Sequence, residues 1–143
     1  KKGRNYALDL DVPIAFIEKR RTGNDAKAEA LTLIGEISGR DVIVVDDEVD
    51  TGSSTAQAVE VVQKMGARDI YLAFIHPIFS RNCAEKLADL PVKHMVTTDT
   101  VPIAPEKMKL LNGRITVLSI APMLGEVIRR AHEGRSVGEM FNE

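Results

Sequence analysis

The sequence predicts an α/β fold with a doubly wound, mostly parallel sheet, and two patterns carry this prediction. Short apolar runs alternate with helical stripes of about twice their length, which is typical of βαβ units. The apolar runs are rich in Val and Ile, as the buried strands of parallel sheets usually are. With 143 residues, the chain fits one domain that spans residues 1–143. Ligands of such domains bind beyond the carboxyl ends of the strands.

Five apolar runs are predicted as strands: Val12–Ile17, Val42–Asp46, Ile70–Ile75, His94–Thr97 and Ile115–Ile120. A further segment, Ala28–Ile34, is ambiguous because its composition favours a helix. Turn-forming residues precede it and Gly35 follows it, which leaves little room for a helix. We therefore predict a sixth strand there.

Three helical stripes occur in the later part of the chain: two separate strands and the third follows the last strand. Apolar residues recur at helical spacing from Ser53 to Met65, from Cys83 to Leu90 and from Met123 to Ala131. Gly66 and Gly134 follow the first and third stripes, where glycine commonly ends a helix. The first seven residues begin without methionine and resemble the middle of a helix. We therefore expect further sequence upstream of the first residue.

Composition and charge exclude several classes of function. The formal net charge is −2 and the sequence pI is about 6.0, so no general basic surface favours nucleic acid or an anionic membrane. Cys83 is the only cysteine, which excludes an internal disulfide framework and zinc sites with two thiolates. No long apolar segment or signal-peptide pattern is present. We expect a cytoplasmic protein.

The most informative segment runs from the predicted strand Val42–Asp46 into the first helical stripe. Asp46 and Asp47 end the strand, Asp50 follows, and a turn of small residues then opens the helix. Gly52 permits a positive φ and a close approach of a ligand to the backbone. Free N–H groups at the start of the helix attract a phosphate. The turn adds four hydroxyl groups, from Thr51, Ser53, Ser54 and Thr55.

This arrangement predicts a site for a sugar phosphate. Asp46 and Asp47 can accept hydrogen bonds from vicinal sugar hydroxyls or hold them through a magnesium ion. The phosphate group then lies at the opposite end, by the hydroxyl-rich turn, and ribose 5-phosphate has this shape. The competing interpretation is an ordinary acidic turn in which Ser53 caps the helix. The sequence has neither the lysine of a Walker loop nor a G-x-G-x-x-G dinucleotide turn.

A second candidate segment is basic. Lys19, Arg20 and Arg21 follow the first predicted strand and precede turn-forming residues, so a mobile loop is expected there. Cations on such a loop can neutralise the charge that spreads over phosphoryl oxygens during transfer. A solvated run of charges is the commoner fate of three adjacent basic residues.

These segments resemble a known family. The stretch 42–55 is similar to the phosphoribosyl pyrophosphate-binding motif shared by type I phosphoribosyltransferases and phosphoribosyl pyrophosphate synthetases, and the Asp50-Thr51 pair favours the synthetases. Ser53 and Ser54 differ from the commonest synthetase pattern. Three other stretches resemble bacterial synthetases and not the transferases: 75–80, 96–102 and 136–141. The resemblance covers nearly the whole chain and matches the C-terminal half of a synthetase.

The resemblance implies an activity and its residues. Synthetases transfer the diphosphoryl group of magnesium ATP to the anomeric hydroxyl of ribose 5-phosphate, which yields phosphoribosyl pyrophosphate and AMP in nucleotide biosynthesis. By this match Lys19 and Arg21 stabilise the transition state. The residues that bind ribose 5-phosphate are Asp46, Asp47, Asp50, Thr51, Gly52, Ser53, Ser54 and Thr55. Mg²⁺ is the implied cofactor and ATP the co-substrate, and a homo-oligomer is expected.

Two alternatives remain open at this stage. In the family, an N-terminal half supplies the ATP-binding residues, and a pyrophosphate loop is expected just ahead of the first residue. A non-catalytic or regulatory relative that binds ribose 5-phosphate is therefore the second hypothesis. A phosphoribosyltransferase is the third, and it would need a base-binding hood for which the chain has no obvious sequence.

Overall fold

The computed structural model describes residues 2–21 and 29–141, without the side chains of residues 2, 19–21, 29 and 30. The helices are Lys2–Asp9 (α1), Ser53–Lys64 (α2), Cys83–Asp89 (α3), Pro105–Leu110 (α4) and Ala121–His132 (α5), with a 3₁₀ turn at Gly138–Phe141. The strands are Phe16–Arg21 (β1), Glu29–Ile34 (β2), Val42–Val49 (β3), Ile70–Pro77 (β4), His94–Thr98 (β5) and Ile115–Leu118 (β6).

Four strands form the central sheet. β3, β4, β5 and β6 lie side by side in this order, and each neighbouring pair is parallel. β1 and β2 form a separate antiparallel pair. The predicted α/β class is confirmed, and the carboxyl ends of β3 to β6 lie along one edge of the sheet.

The core lies on one face of this sheet. The central strand β4 alternates, so that Ile70, Leu72 and Phe74 are buried while Tyr71 and Ala73 between them are only half-buried. The buried face packs against the buried residues of α2 and α3. The α2 stripe predicted from the sequence therefore faces the sheet.

The opposite face is less covered. Ile43 of β3 is 50% exposed and Val96 of β5 is 37% exposed, although both belong to apolar strands. Helix α1 lies on this side, where it borders an open depression together with Val45 and Ile75. Helices therefore approach the sheet from both faces, but within the described residues the second face is only partly buried.

The basic segment differs from its prediction. The first strand was expected at 12–17 and begins instead at Phe16, so Lys19, Arg20 and Arg21 belong to β1 and not to a loop after it. Their backbone pairs with β2, where Lys19 lies opposite Leu31. Three successive charged residues do not show the apolar alternation that predicts a strand. This strand is stabilised by its pairing with β2 in the hairpin. The ambiguous segment is confirmed as a strand, because β2 is that partner.

Smaller differences concern the ends of elements. β3 continues to Val49, because its last residues still pair with β4, whereas β6 ends at Leu118. Helix α4 and the 3₁₀ turn were not predicted, since both are too short to show a periodic pattern. Gly66 and Gly134 follow the ends of their helices, as predicted, and both have a positive φ. Across 2–21 and 29–141, no helix has the length and apolarity needed to cross a membrane.

Candidate functional site

Ten consecutive residues, Asp46–Thr55, line a groove of about 300 Å³ at the carboxyl end of β3. The predicted sugar-phosphate residues of this segment therefore lie around one cavity. The acidic residues come from the strand and the hydroxyl residues from the turn and the start of α2. The groove combines, over one continuous surface, the acceptors that a diol needs and the donors that a phosphate needs.

Gly52 shapes the bend of the groove. Its φ is 73°, in the left-handed region that glycine adopts most readily, as the sequence predicted. A Cβ atom at this position would lie 3.0 Å from Sγ of Cys83, which is fully buried beneath the turn. Burial raises the pKa of the Cys83 thiol to about 11, which favours the neutral thiol over the thiolate.

The start of α2 supplies main-chain donors. Gly52 is the N-cap residue, and no side chain makes a capping hydrogen bond at this helix start. Ser53 is the first helical residue, so the interpretation of Ser53 as a helix cap is not supported. The first N–H groups of a helix have no partner within it, so those of α2 can bind an anion in the groove.

The segment after β4 forms hydrogen bonds with the backbone of the groove. The N–H groups of Phe79 and Ser80 donate to the carbonyls of Val49 and Asp50, at 3.1 and 3.0 Å. Phe79 has φ 50° although it is not glycine, and its ring is fully buried. Lys107 of α4 donates to the Phe79 carbonyl at 2.5 Å. The groove backbone is thus fixed by residues far away in sequence.

A lysine outside the predicted site contacts the turn. Nζ of Lys86, on α3, donates to the Thr51 carbonyl at 3.2 Å and to Oγ of Ser53 at 2.9 Å. Lys86 lies 33 residues from Ser53 along the chain, so no local motif signals this contact. Only its position in a helix that packs beside α2 could have suggested it.

The electrostatics of the acidic end are unfavourable for a free carboxylate. Partial desolvation raises the pKa of Asp46 above its usual value, and the neighbouring Asp47 and Glu48 charges act in the same direction. The Asp47 N–H donates to Oδ1 of Asp46 at 2.9 Å, which partly offsets the shift. A sugar hydroxyl or a cation would relieve this cost.

A second open depression of about 850 Å³ adjoins the groove through Asp46 and Asp47. Its other walls come from α1 and from the ends of β3 and β4, including His76. Nδ1 of His76 lies 2.9 Å from Oγ1 of Thr100, whose hydroxyl donates to the Ile75 carbonyl. His76 is thus held by a local contact, and the two depressions give a ligand room to extend beyond a pentose.

The remaining parts of the predicted site are its basic residues and its metal ion. The side chains of Lys19 and Arg21 lie outside the described residues, so their roles stay predictions. No group of three or more metal-binding side chains occurs in the ranges 2–21 and 29–141. Asp46 and Asp47 supply two carboxylates, and proteins commonly hold Mg²⁺ with one or two carboxylates together with substrate oxygens.

Comparison with known proteins identifies the family. Residues 9–142 match the model of the phosphoribosyl synthetase-associated domain. A ribose-phosphate pyrophosphokinase of Caldanaerobacter subterraneus is 39% identical over 140 residues, which cover 98% of this chain and 43% of the relative. One of Parasynechococcus marenigrum is 41% identical over 142 residues, with 98% and 42% covered.

A solved structure agrees with these relatives. The phosphoribosylpyrophosphate synthetase from Mycobacterium smegmatis superposes with a TM-score of 0.81 at 33% identity, covering 92% of this chain and 41% of that one. The chain thus spans about two fifths of the length of the proteins it matches. The family match and these relatives show that this chain belongs to the phosphoribosyl synthetase-associated domain family and is a homologue of the ribose-phosphate pyrophosphokinases.

Proposed function

We propose that this chain is the C-terminal, ribose 5-phosphate-binding domain of a ribose-phosphate diphosphokinase. The observation that carries the proposal is the single groove lined by Asp46–Thr55, which has carboxylates at one end and hydroxyl and main-chain donors at the other. Ribose 5-phosphate needs both kinds of partner at the two ends of one pentose. The homology to ribose-phosphate pyrophosphokinases supports this choice of ligand.

In the proposed reaction, the C1 hydroxyl oxygen of ribose 5-phosphate attacks the β-phosphorus of ATP. A bond forms between these two atoms, and the bond from the β-phosphorus to the oxygen that bridges to the α-phosphate breaks. AMP leaves with that oxygen, the hydroxyl proton is released, and phosphoribosyl pyrophosphate is the product. The groove contributes mainly by position: it holds the sugar so that C1 faces the nucleotide.

Within this proposal Asp46 and Asp47 bind the sugar diol, directly or together with Mg²⁺, and the turn Asp50–Thr55 binds the 5-phosphate. Mg²⁺ would neutralise charge on the polyphosphate when it is bound. Lys19 and Arg21 are proposed to act electrostatically on the transferred group. A cytoplasmic location and a homo-oligomer belong to the same proposal.

The test is calorimetric titration of the chain with ribose 5-phosphate. We expect binding by the unsubstituted chain and its loss in the Asp46→Asn, Asp47→Asn double variant, with the fold retained. A matched control, Asp89→Asn with Glu106→Gln, removes the same charge from exposed positions of α3 and α4 and should bind normally. Equal affinity in the double variant and the control would remove the assignment of the diol site.

An assay of AMP release, run beside the titration, separates the alternatives. Release of AMP from ATP and ribose 5-phosphate shows that the chain itself is a diphosphokinase. Binding without AMP release favours the second hypothesis, a sugar phosphate-binding module. Nucleobase exchange by the purified chain would favour a phosphoribosyltransferase and contradict the proposal.

A further inference from the structure

We infer that Lys86 is a positioning residue for the phosphate end of the groove, an inference that rests on the proposed function. Lys86 lies on α3, outside the segment that lines the groove, and reaches it from behind through two hydrogen bonds. It is half-buried, with Cys83 and Leu87 of the same helix buried on either side of it. Its ammonium is therefore held in place by the packing of α3 against α2.

The first bond fixes the backbone of the turn. Nζ of Lys86 donates to the Thr51 carbonyl at 3.2 Å, one residue before the left-handed bend at Gly52. The Asp50 carbonyl, on the preceding residue, accepts the Ser80 N–H. Two successive carbonyls, those of Asp50 and Thr51, thus accept from donors outside the segment that lines the groove, which offsets the negative charge of their oxygens near the turn.

The second bond orients a hydroxyl group. An ammonium carries three donors and no acceptor, so Oγ of Ser53 must accept the bond from Nζ at 2.9 Å. The hydroxyl proton of Ser53 then remains available to donate elsewhere. Ser53 lines the groove at the start of α2, so a phosphate oxygen is the acceptor that this orientation suits.

The charge of Lys86 also matters at this position. The groove carries the carboxyl groups of Asp46, Asp47, Glu48 and Asp50, which together repel a phosphate dianion. The partial positive charge at the N-terminus of α2 and the ammonium behind it act against this repulsion. Lys86 therefore favours binding of a dianion at the turn, and this effect does not require direct contact between Lys86 and the dianion.

The experiment measures ribose 5-phosphate affinity by calorimetry in the full chain. Lys86→Met keeps the apolar stem but removes the donor and the charge, and we expect about tenfold weaker binding, or about 1.4 kcal/mol. Lys86→Arg retains both properties and should restore affinity to within about threefold of the unsubstituted chain. Lys109→Met, at an exposed position of α4, is the matched control and should bind normally.

A double-mutant cycle distinguishes positioning from general destabilisation. If Lys86 acts through the Ser53 hydroxyl, Lys86→Met should weaken binding much less in a Ser53→Ala background than in the unsubstituted chain. Fully additive effects, or unchanged affinity in Lys86→Met, would overturn the inference while leaving the proposed function standing. An unsubstituted chain that binds no ribose 5-phosphate would contradict the proposed function itself, and the inference with it.

Discussion

At the scale of single residues, Gly52 has a left-handed backbone conformation and a close neighbour in Cys83. The cost of each to a larger residue at this position can be measured separately. We expect Gly52→Ala to destabilise the fold by about 2–3 kcal/mol, from backbone strain and from overpacking against Cys83. Gly39→Ala is the matched control, because Gly39 also has a positive φ but no atom within 4 Å of the added Cβ. It should cost only about 1–2 kcal/mol in urea unfolding.

Removal of the neighbouring sulfur completes this comparison. In a Cys83→Ala background, the cost of Gly52→Ala should fall towards that of Gly39→Ala, because Sγ is the atom 3.0 Å from the added Cβ. An undiminished cost in that background would show that the backbone conformation alone requires glycine.

Asp46 gives the site a predicted dependence on pH. Its pKa is raised above 3.8, chiefly by desolvation, so its contribution to stability is present at low pH and is lost as the pH rises through the raised pKa. Asp46→Asn should therefore leave stability at pH 7 unchanged or higher. Affinity for ribose 5-phosphate should instead fall on acidification, since the ionised carboxylate accepts the sugar hydroxyls.

Titrations between pH 7 and pH 4, with thermal unfolding at each pH, would check both parts of this prediction. Asp89→Asn serves as the control for the loss of one exposed charge. A marked loss of stability in Asp46→Asn at pH 7 would show that the carboxylate is a structural group and not one kept for binding.

At the scale of elements, Arg130 fastens the C-terminal 3₁₀ turn to α5. Its guanidinium donates to Glu126 on the same helix at 2.7 Å, to the Ser136 carbonyl at 2.9 Å and to Glu139 at 3.1 Å. Its side chain is 16% exposed. The neighbouring Arg129 pairs with Glu126 and with Glu133, the residue that follows α5, and its side chain is 49% exposed.

We therefore expect Arg130→Met to release the turn while Arg129→Met does not. The Met140 amide, which donates to the Val137 carbonyl, should exchange with solvent about tenfold faster in Arg130→Met. Arg129→Met should leave stability almost unchanged, because exposed helical ion pairs contribute little. Equal exchange rates in the two variants would show that the turn is held by packing alone.

Some elements could be predicted from the sequence pattern and others could not. The strands of the central sheet and the helices α2, α3 and α5 follow from apolar spacing, because burial on one face imposes that spacing. The basic segment was misplaced, since pairing with β2 makes a strand out of residues whose side chains indicate a loop. The contacts of Lys86 with the turn could not be predicted from the sequence, because they depend on the packing of α3 beside α2.

At the scale of the whole molecule, the two sheet faces contribute unequally to stability. Leu72 is 2% exposed on the face that α2 and α3 cover, whereas Ile43 is 50% exposed on the other face. We expect Leu72→Ala to cost about 2–5 kcal/mol in urea unfolding, because it leaves a cavity in the core. Ile43→Ala should cost about 1 kcal/mol or less. Comparable costs would show that the second face is also packed.

The position of the groove between β3 and α2 has a consequence for ligand recognition. The acidic end of the groove is part of β3, and the hydroxyl end opens α2, so both backbones take their shape when the sheet and its helices fold. A ligand entering this cleft meets partners that are already ordered, and little conformational freedom remains to be lost on association. If the groove binds a sugar phosphate as proposed, its selectivity can then come from rigid geometry instead of from closure around the bound molecule.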